Sequence, residues 1–169
     1  MSTPSDTPPS AVTPDPLPEF DREMAITRRL LARVPDADPD WRPHPKSFSI
    51  AHLAQLVADM PRWLDDMLRR PGLDLAAQPG YRNEPTAALL AAFDANVARA
   101  RGALEHPTDP DAPWRLTYGA QVLSEEPRGM VVRTHLSHMI HHRAQLGVYL
   151  RLLDVPVPCV YGPTADESW

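Results

Sequence analysis

A cluster of histidines near the C-terminal end is the part of this sequence best suited to chemistry. Four of the chain's seven histidines fall within eight residues, at positions His135, His138, His141 and His142. On a helix, residues four apart lie one turn apart on the same face, so His138 and His142 would stack there. Helical zinc sites use this His-x-x-x-His spacing. The alternative is a solvated polar helix face that happens to be rich in histidine.

The overall composition describes a single acidic globular domain of 169 residues with a net charge of −5. Neutralising nucleic-acid phosphates needs clustered basic residues, so this charge argues against a nucleic-acid partner. The single cysteine, Cys159, cannot form an intrachain disulfide. The sequence begins without the pattern of a signal peptide, and no run reaches the ~20 apolar residues that cross a membrane. We therefore expect a cytoplasmic protein without a membrane partner.

Four segments must form the scaffold around the histidines, because apolar residues recur in them at helical spacing. The first helix is predicted from Glu19 to Val34 and the second from about Ile50 to Arg70. Pro61 should kink or break the second helix near residues 57–60. The third helix is predicted from Pro85 to Glu105, and the fourth from Ser124 to about Asp154.

The start of the fourth helix follows the least decodable region, residues 107–126. Trp114 to Gly119 alternates polar and apolar residues too briefly to establish a strand. Ser124 is followed by two glutamates and Pro127, which together favour a helix start with a capping side chain and acids at the positive end of the dipole.

Together these segments predict an all-α fold, a four-helix bundle with long connecting loops. Three connectors exceed ten residues, which favours at least one loop that crosses over. Residues 1–17 are rich in proline, serine and threonine and predict a disordered tail. Residues 18–169 would then form one domain.

The chain resembles the DinB/YfiT-like family of metal-dependent four-helix bundle proteins over roughly residues 20–167. Its most specific part is His138–Pro158, which reads His-Met-Ile-His-His-Arg-Ala-Gln-Leu-Gly-Val-Tyr-Leu-Arg-Leu-Leu-Asp-Val-Pro-Val-Pro, followed by residues 161–167. Shorter supporting pieces are residues 31–35 and 45–49. The resemblance implies that three histidines hold a divalent metal, zinc or nickel, with one from the second helix and two from the last.

The resemblance maps the last-helix ligands onto His138 and His142, but the expected second-helix ligand position is Leu56. His52 lies one turn earlier, displaced by about 6 Å along the helix. It would need a local shift to reach the metal, and the Pro61 kink offers one route to that shift. Otherwise His52 is a histidine near solvent at a helix start. The carboxylate of Asp59 is another donor that this face offers.

Neighbouring residues take secondary roles under the resemblance. Gln145 and Tyr149 continue the histidine stripe and would orient the substrate or the ligands, as the candidate catalytic residues. His135 and His141 are expected to take no part. Arg143 would hold a carboxylate on a neighbouring helix or on a substrate, with the structural role favoured. Cys159 is expected to be an incidental thiol.

The activity implied by the resemblance is a thiol-dependent transfer or isomerisation, or a hydrolysis, of a small-molecule substrate. A low-molecular-weight thiol would be the co-substrate, bound to the metal as a thiolate. The competing interpretation is a non-catalytic bundle whose metal site has degenerated at Leu56. Such a protein would bind a small ligand or serve as a dimeric interaction module. Relatives are often dimeric, so we expect a homodimer.

Overall fold

The structure, a computed structural model, describes residues 16–106 and 108–168. Its four helices are α1 (Leu17–Leu31), α2 (Ile50–Arg69), α3 (Thr86–Leu104) and α4 (Arg128–Leu152). Three short strands are β1 (Gly72–Asp74), β2 (Pro113–Tyr118) and β3 (Gln121–Pro127), with a 3-10 helix over Leu75–Ala77. The predicted tail lies outside the described residues up to position 15, and its last residue already belongs to α1.

Side chains cap the starts of two helices, one from a neighbouring residue and one from a distant segment. The Ser49 side chain accepts a hydrogen bond from the backbone N–H of His52 and so caps α2. Helix α3 follows Pro85, which has no side-chain acceptor, and its cap comes from a distant segment. The carboxylate of Asp36, in the connector after α1, accepts from the N–H of Thr86 at 2.7 Å. This contact ties the α1–α2 connector to the start of α3.

The core lies between the four helices, with α2 packed against both α3 and α4. Its fully buried side chains include Phe20, Leu30, Ile50, Leu64, Phe93, Leu146 and Leu150. Helices α2 and α4 run antiparallel, because Met60 contacts His135 at one level and Phe48 contacts Tyr149 at another. None of the described helices combines the length and the hydrophobicity that a membrane span requires.

A three-stranded sheet corrects the expectation of a purely helical chain. The order is β1-β2-β3, with β1 parallel to β2 and β2 antiparallel to β3. Ser124 lies in β3 and does not cap a helix; α4 begins at Arg128, directly after Pro127. Tyr118 pairs with Gln121 across a two-residue turn in which Gly119 has a φ of +57°, a conformation that glycine adopts without strain.

Helix α2 continues without a break through Pro61, although this proline cannot donate to the carbonyl one turn earlier. Two side chains from neighbouring helices bond to carbonyls beside it. The Asn96 amide on α3 donates to the Ala58 carbonyl at 3.0 Å. The imidazole of His135 on α4 bonds to the Met60 carbonyl at 2.9 Å. The segment around the proline is thus held from both sides.

Candidate functional site

The two histidines of the His-x-x-x-His pair point their ring nitrogens at each other. The Nε2 atoms of His138 and His142 are 2.8 Å apart. Two nitrogens bound to one tetrahedral zinc would be about 3.3 Å apart, given bonds of roughly 2.0–2.1 Å. A small rotation of the rings therefore separates an imidazole–imidazole hydrogen bond from a chelating pair. The i, i+4 spacing of the two histidines thus brings their Nε2 atoms together at one point.

Gln145, one turn beyond the pair, determines the proton arrangement. Its Oε1 lies 2.8 Å from Nδ1 of His142, so this nitrogen carries the proton and donates it. The Nε2 of the neutral His142 ring is then a lone-pair acceptor, and His138 donates to it. Metal-binding histidines commonly have a hydrogen bond of this kind at the far ring nitrogen.

Burial keeps both rings neutral more readily than in water. The pKa of His138 is lowered by burial and, to a smaller extent, by the neighbouring His142 and His141. The pKa of His142 is also lowered by burial, partly opposed by its hydrogen bond to Gln145. Only a neutral imidazole offers a lone pair to a metal. The His142 ring presents that lone pair at Nε2, whereas the His138 ring would have to move its proton from Nε2 to Nδ1 in order to ligate.

Leu56 on α2 lies level with this pair along the helix axis. The contacts Met60–His135 and Phe48–Tyr149 fix how far α2 and α4 are shifted along each other. The midpoint between the two histidines then falls level with a point about four residues before Met60, at Leu56, given the constant helical rise. The leucine is partly buried against the core and offers no donor atom.

His52 is engaged elsewhere. Its ring lies between two aromatic side chains, stacked on Tyr81 at a centroid distance of 4.7 Å and tilted against Phe48 at 4.4 Å. Its pKa is lowered by burial. The predicted participation of His52 as a ligand thus requires it to leave this aromatic stack.

Asp59 and Tyr149 also have partners outside the pair. The Asp59 carboxylate accepts a hydrogen bond from Gln55. Tyr149 donates its hydroxyl to the Phe48 carbonyl at 3.3 Å, and its ring packs edge-on against Trp41. It lies seven residues beyond His142, about 10 Å along the helix. Of the two candidate catalytic residues, only Gln145 contacts the histidine pair.

His135 has a structural contact that the sequence pattern does not reveal. The side chain is buried, and Nε2 bonds to the Met60 carbonyl of α2. Its pKa is lowered to about 4, chiefly because burial disfavours the charged ring. The ring is therefore neutral and links α4 to α2 one turn before His138.

Arg143 lies directly after His142, about 100° further around α4, and points into the interface with α1. It is 2% exposed and forms an ion pair with Glu23, 6% exposed, at 2.6 Å. The Tyr161 hydroxyl lies between them, accepting from Arg143 at 2.7 Å and donating to Glu23 at 2.8 Å. The pKa of Tyr161 is raised by burial and by this donation. The arginine thus binds a carboxylate on a neighbouring helix.

The donor set fits two protein ligands and does not fit three. Within residues 16–106 and 108–168, no three histidine, cysteine, aspartate or glutamate side chains are placed to hold one ion. The convergent pair supplies two nitrogens, and Leu56 supplies only carbon where a third ligand is expected. The structure is that of a four-helix bundle with a small sheet and a pair of hydrogen-bonded histidines on its last helix.

The comparisons with known proteins identify the family. The model of the DinB superfamily matches residues 19–146, so the chain belongs to this superfamily. Two solved structures are similar in fold, at 16% sequence identity each. A DinB-like protein from Bacillus subtilis has a TM-score of 0.64, covering 82% of this chain and 91% of that one. A DinB-like protein from Bacillus cereus ATCC 10987 has a TM-score of 0.65, covering 86% and 95%. No curated protein matches the chain.

Proposed function

We propose that this DinB-superfamily protein binds a divalent metal, zinc or nickel, through His138 and His142. The observation that carries the proposal is the 2.8 Å approach of the two Nε2 atoms, combined with the hydrogen bond from His142 to Gln145. Two histidines leave most of the coordination shell to molecules from solution. The protein therefore depends on an external ligand, such as a low-molecular-weight thiol, more than a three-histidine relative would.

The chemistry follows from the family resemblance. A bound divalent metal lowers the pKa of a coordinated water or thiol and polarises a carbonyl oxygen. This suits a thiol-dependent transfer or isomerisation, or a hydrolysis, of a small molecule. Within the chain, Gln145 holds the His142 ring in the ligating tautomer. Tyr149 is proposed to orient substrate, which would require its hydroxyl to exchange the Phe48 carbonyl for the substrate.

Leu56 specifically favours a second candidate function. With carbon at the third ligand position, the bundle would have lost its metal and would act as a small-ligand-binding or dimeric interaction module. The two candidates differ in one measurable property, because only the first retains metal at physiological concentrations. A cytoplasmic location and a homodimer are proposed for both.

The deciding experiment is metal analysis of tag-free protein purified without chelator, followed by zinc and nickel titration by calorimetry. We expect binding of one equivalent per chain in the wild type. The substitutions His138→Ala and His142→Ala should each lower the affinity at least tenfold, because each removes one of two protein ligands. His141→Ala is the matched control, since this exposed neighbour is not one of the two proposed ligands.

The His52→Ala variant tests the remaining ligand assignment. Unchanged affinity would exclude His52 from the site and leave the two-histidine shell. A loss as large as that of His138→Ala would mean that His52 leaves its aromatic stack when metal binds. Absence of stoichiometric metal in the wild type, with equal affinities for all variants, would favour the second candidate.

A further inference from the structure

A groove runs between the sheet and the N-terminal half of α4 and ends at His138. Its volume is about 220 Å³, below the roughly 300–1,000 Å³ of drug-sized pockets, so it suits a small molecule. Its most buried wall residues are Met67, Trp114 and His135, and its exposed ones are Ser124, Glu126, Thr134 and His138. The walls are formed by Met67, Trp114, Leu116, Ser124, Glu126, Val131, Thr134, His135 and His138.

The pairing of β2 with β3 determines which side chains face the groove. Glu126 is the cross-strand partner of Trp114, and cross-strand partners share a face of the sheet. Glu125, the preceding residue, therefore points to the opposite face. There it forms an ion pair with Arg115, its own cross-strand partner. The two adjacent glutamates thus have different surroundings.

Glu126 is an acidic residue in the wall of the groove. Among the described residues, none forms an ion pair or a hydrogen bond with its carboxylate, and no lysine or arginine lines the groove. The nearby Arg128 donates instead to the Arg70 carbonyl. Apolar side chains beside one carboxylate complement a molecule with an apolar body and one positive charge, and the carboxylate repels other carboxylates.

We propose that this groove binds a small organic amine. The ammonium group would lie at Glu126, and the apolar body would lie against Met67, Leu116 and Val131. The other end of the ligand would then extend toward His138. This assignment names the class of substrate that would reach the histidine pair. Its meaning for catalysis therefore rests on the proposed function. Amine binding itself requires no metal and is tested separately.

The test is an NMR titration of the metal-free full-length protein with three probes of similar size: 2-phenylethylamine, 2-phenylethanol and 3-phenylpropanoate. We expect the amine to bind three- to fivefold more tightly than the alcohol, the effect of a partly exposed ion pair, and the carboxylate to bind most weakly. The shifted signals should belong to β2, β3 and the first half of α4. Equal affinities for amine and alcohol, or shifts elsewhere, would overturn the proposal.

Paired substitutions localise the charge effect. Glu126→Gln should abolish the preference for the amine over the alcohol, while Glu125→Gln, on the opposite face of the same strand, should preserve it. If both substitutions changed the amine preference equally, the preference would come from the overall charge of the protein, and a specific site at Glu126 would be contradicted. Thr134→Trp, at an exposed wall position of α4, should block both the amine and the alcohol without depending on charge.

The metal and amine proposals can fail independently. His142 does not line the groove, so His142→Ala should lose metal affinity and keep amine affinity. Amine binding without metal binding would leave a ligand-binding bundle. Metal binding without amine preference would retain the metal site and refute the groove assignment.

Discussion

Two adjacent residues of α4 show opposite uses of polar side chains. Arg143 is buried, and its partners on α1 and in the C-terminal segment are fixed at hydrogen-bonding distance. His142, one residue earlier, is half-buried, and its hydrogen-bond partners within the described part of the chain are two side chains of its own helix. The arginine side is closed by protein groups from distant parts of the sequence. On the histidine side the two imidazoles contact each other, and Leu56, level with them on α2, offers no donor atom.

This difference separates stability from binding along a single helix. A buried charge with all its partners is costly to disturb, because removing one partner leaves the other in an apolar environment. A convergent pair of neutral imidazoles adds little to folding and can accept a ligand from solution. We therefore expect substitutions on the arginine side to change stability and substitutions on the histidine side to change metal affinity.

The largest effect is expected for Arg143→Met, which leaves the buried Glu23 carboxylate without a cation. We predict a loss of about 3–5 kcal/mol in the free energy of unfolding, measured in urea at pH 7. His142→Ala should cost about 1 kcal/mol or less. If both variants unfold at the same urea concentration, the proposed division of α4 is wrong. Adding Glu23→Gln to Arg143→Met should recover part of the loss.

A second prediction concerns His135, which belongs to the closed part of α4. Its pKa is about 4 in the folded protein and about 6.5 when unfolded, so the unfolded state binds more protons between these values. Stability should therefore fall by roughly 2–3 kcal/mol as the pH decreases from 6.5 to 4. His135→Gln keeps a donor for the Met60 carbonyl but cannot titrate. If the free energy of unfolding of this variant depended on pH as steeply as that of the wild type, His135 would not be the source of the dependence.

A third prediction concerns Leu56, which stands where a third metal ligand is expected. Leu56→His should raise zinc affinity by about ten- to a hundredfold, because it places a third imidazole level with the pair. Leu56→Met keeps a similar volume with a weaker donor and should raise the affinity much less. Calorimetric titration of both variants gives the comparison. No gain for the histidine variant would mean that position 56 does not face the metal.

The smallest effect is expected for Gln145→Leu. Without its acceptor, the His142 ring loses the hydrogen bond that fixes its tautomer, and metal affinity should drop by about tenfold. Thermal unfolding of the metal-free protein should change little, because the residue lies at the half-buried side of α4. Gln145→Glu, which keeps an acceptor for the ring N–H, should retain most of the affinity.

Much of the bundle follows from helical spacing, because each helix buries a stripe of apolar residues that local sequence specifies. The histidine stripe is predictable for the same reason, since i and i+4 positions must converge on one face. Trp114 and Ser124 show where this reasoning fails. Serine followed by acids and proline fits a helix start locally, and only pairing with a partner strand makes this segment β3.

The contacts between distant segments could not be predicted from local patterns. Glu23 resembles any surface acid of an amphipathic helix, and its partner lies 120 residues later. Likewise, nothing in the sequence around His135 identifies the Met60 carbonyl as its acceptor. Only the family resemblance indicates that a histidine is expected at position 56, because a leucine is common on a helix that packs against a core.

The separation of these partners in the sequence has a consequence for protein synthesis. Glu23 and Tyr161 are 138 residues apart, so their contact forms only after most of the polypeptide has left the ribosome. Until then the Glu23 carboxylate on the first helix lacks the Arg143 and Tyr161 side chains that bind it in the folded protein. Contacts so far apart slow folding and leave apolar surface exposed in intermediates. Early translation arrest should therefore yield chains that need chaperones, whereas chains that include Tyr161 can close around the ion pair.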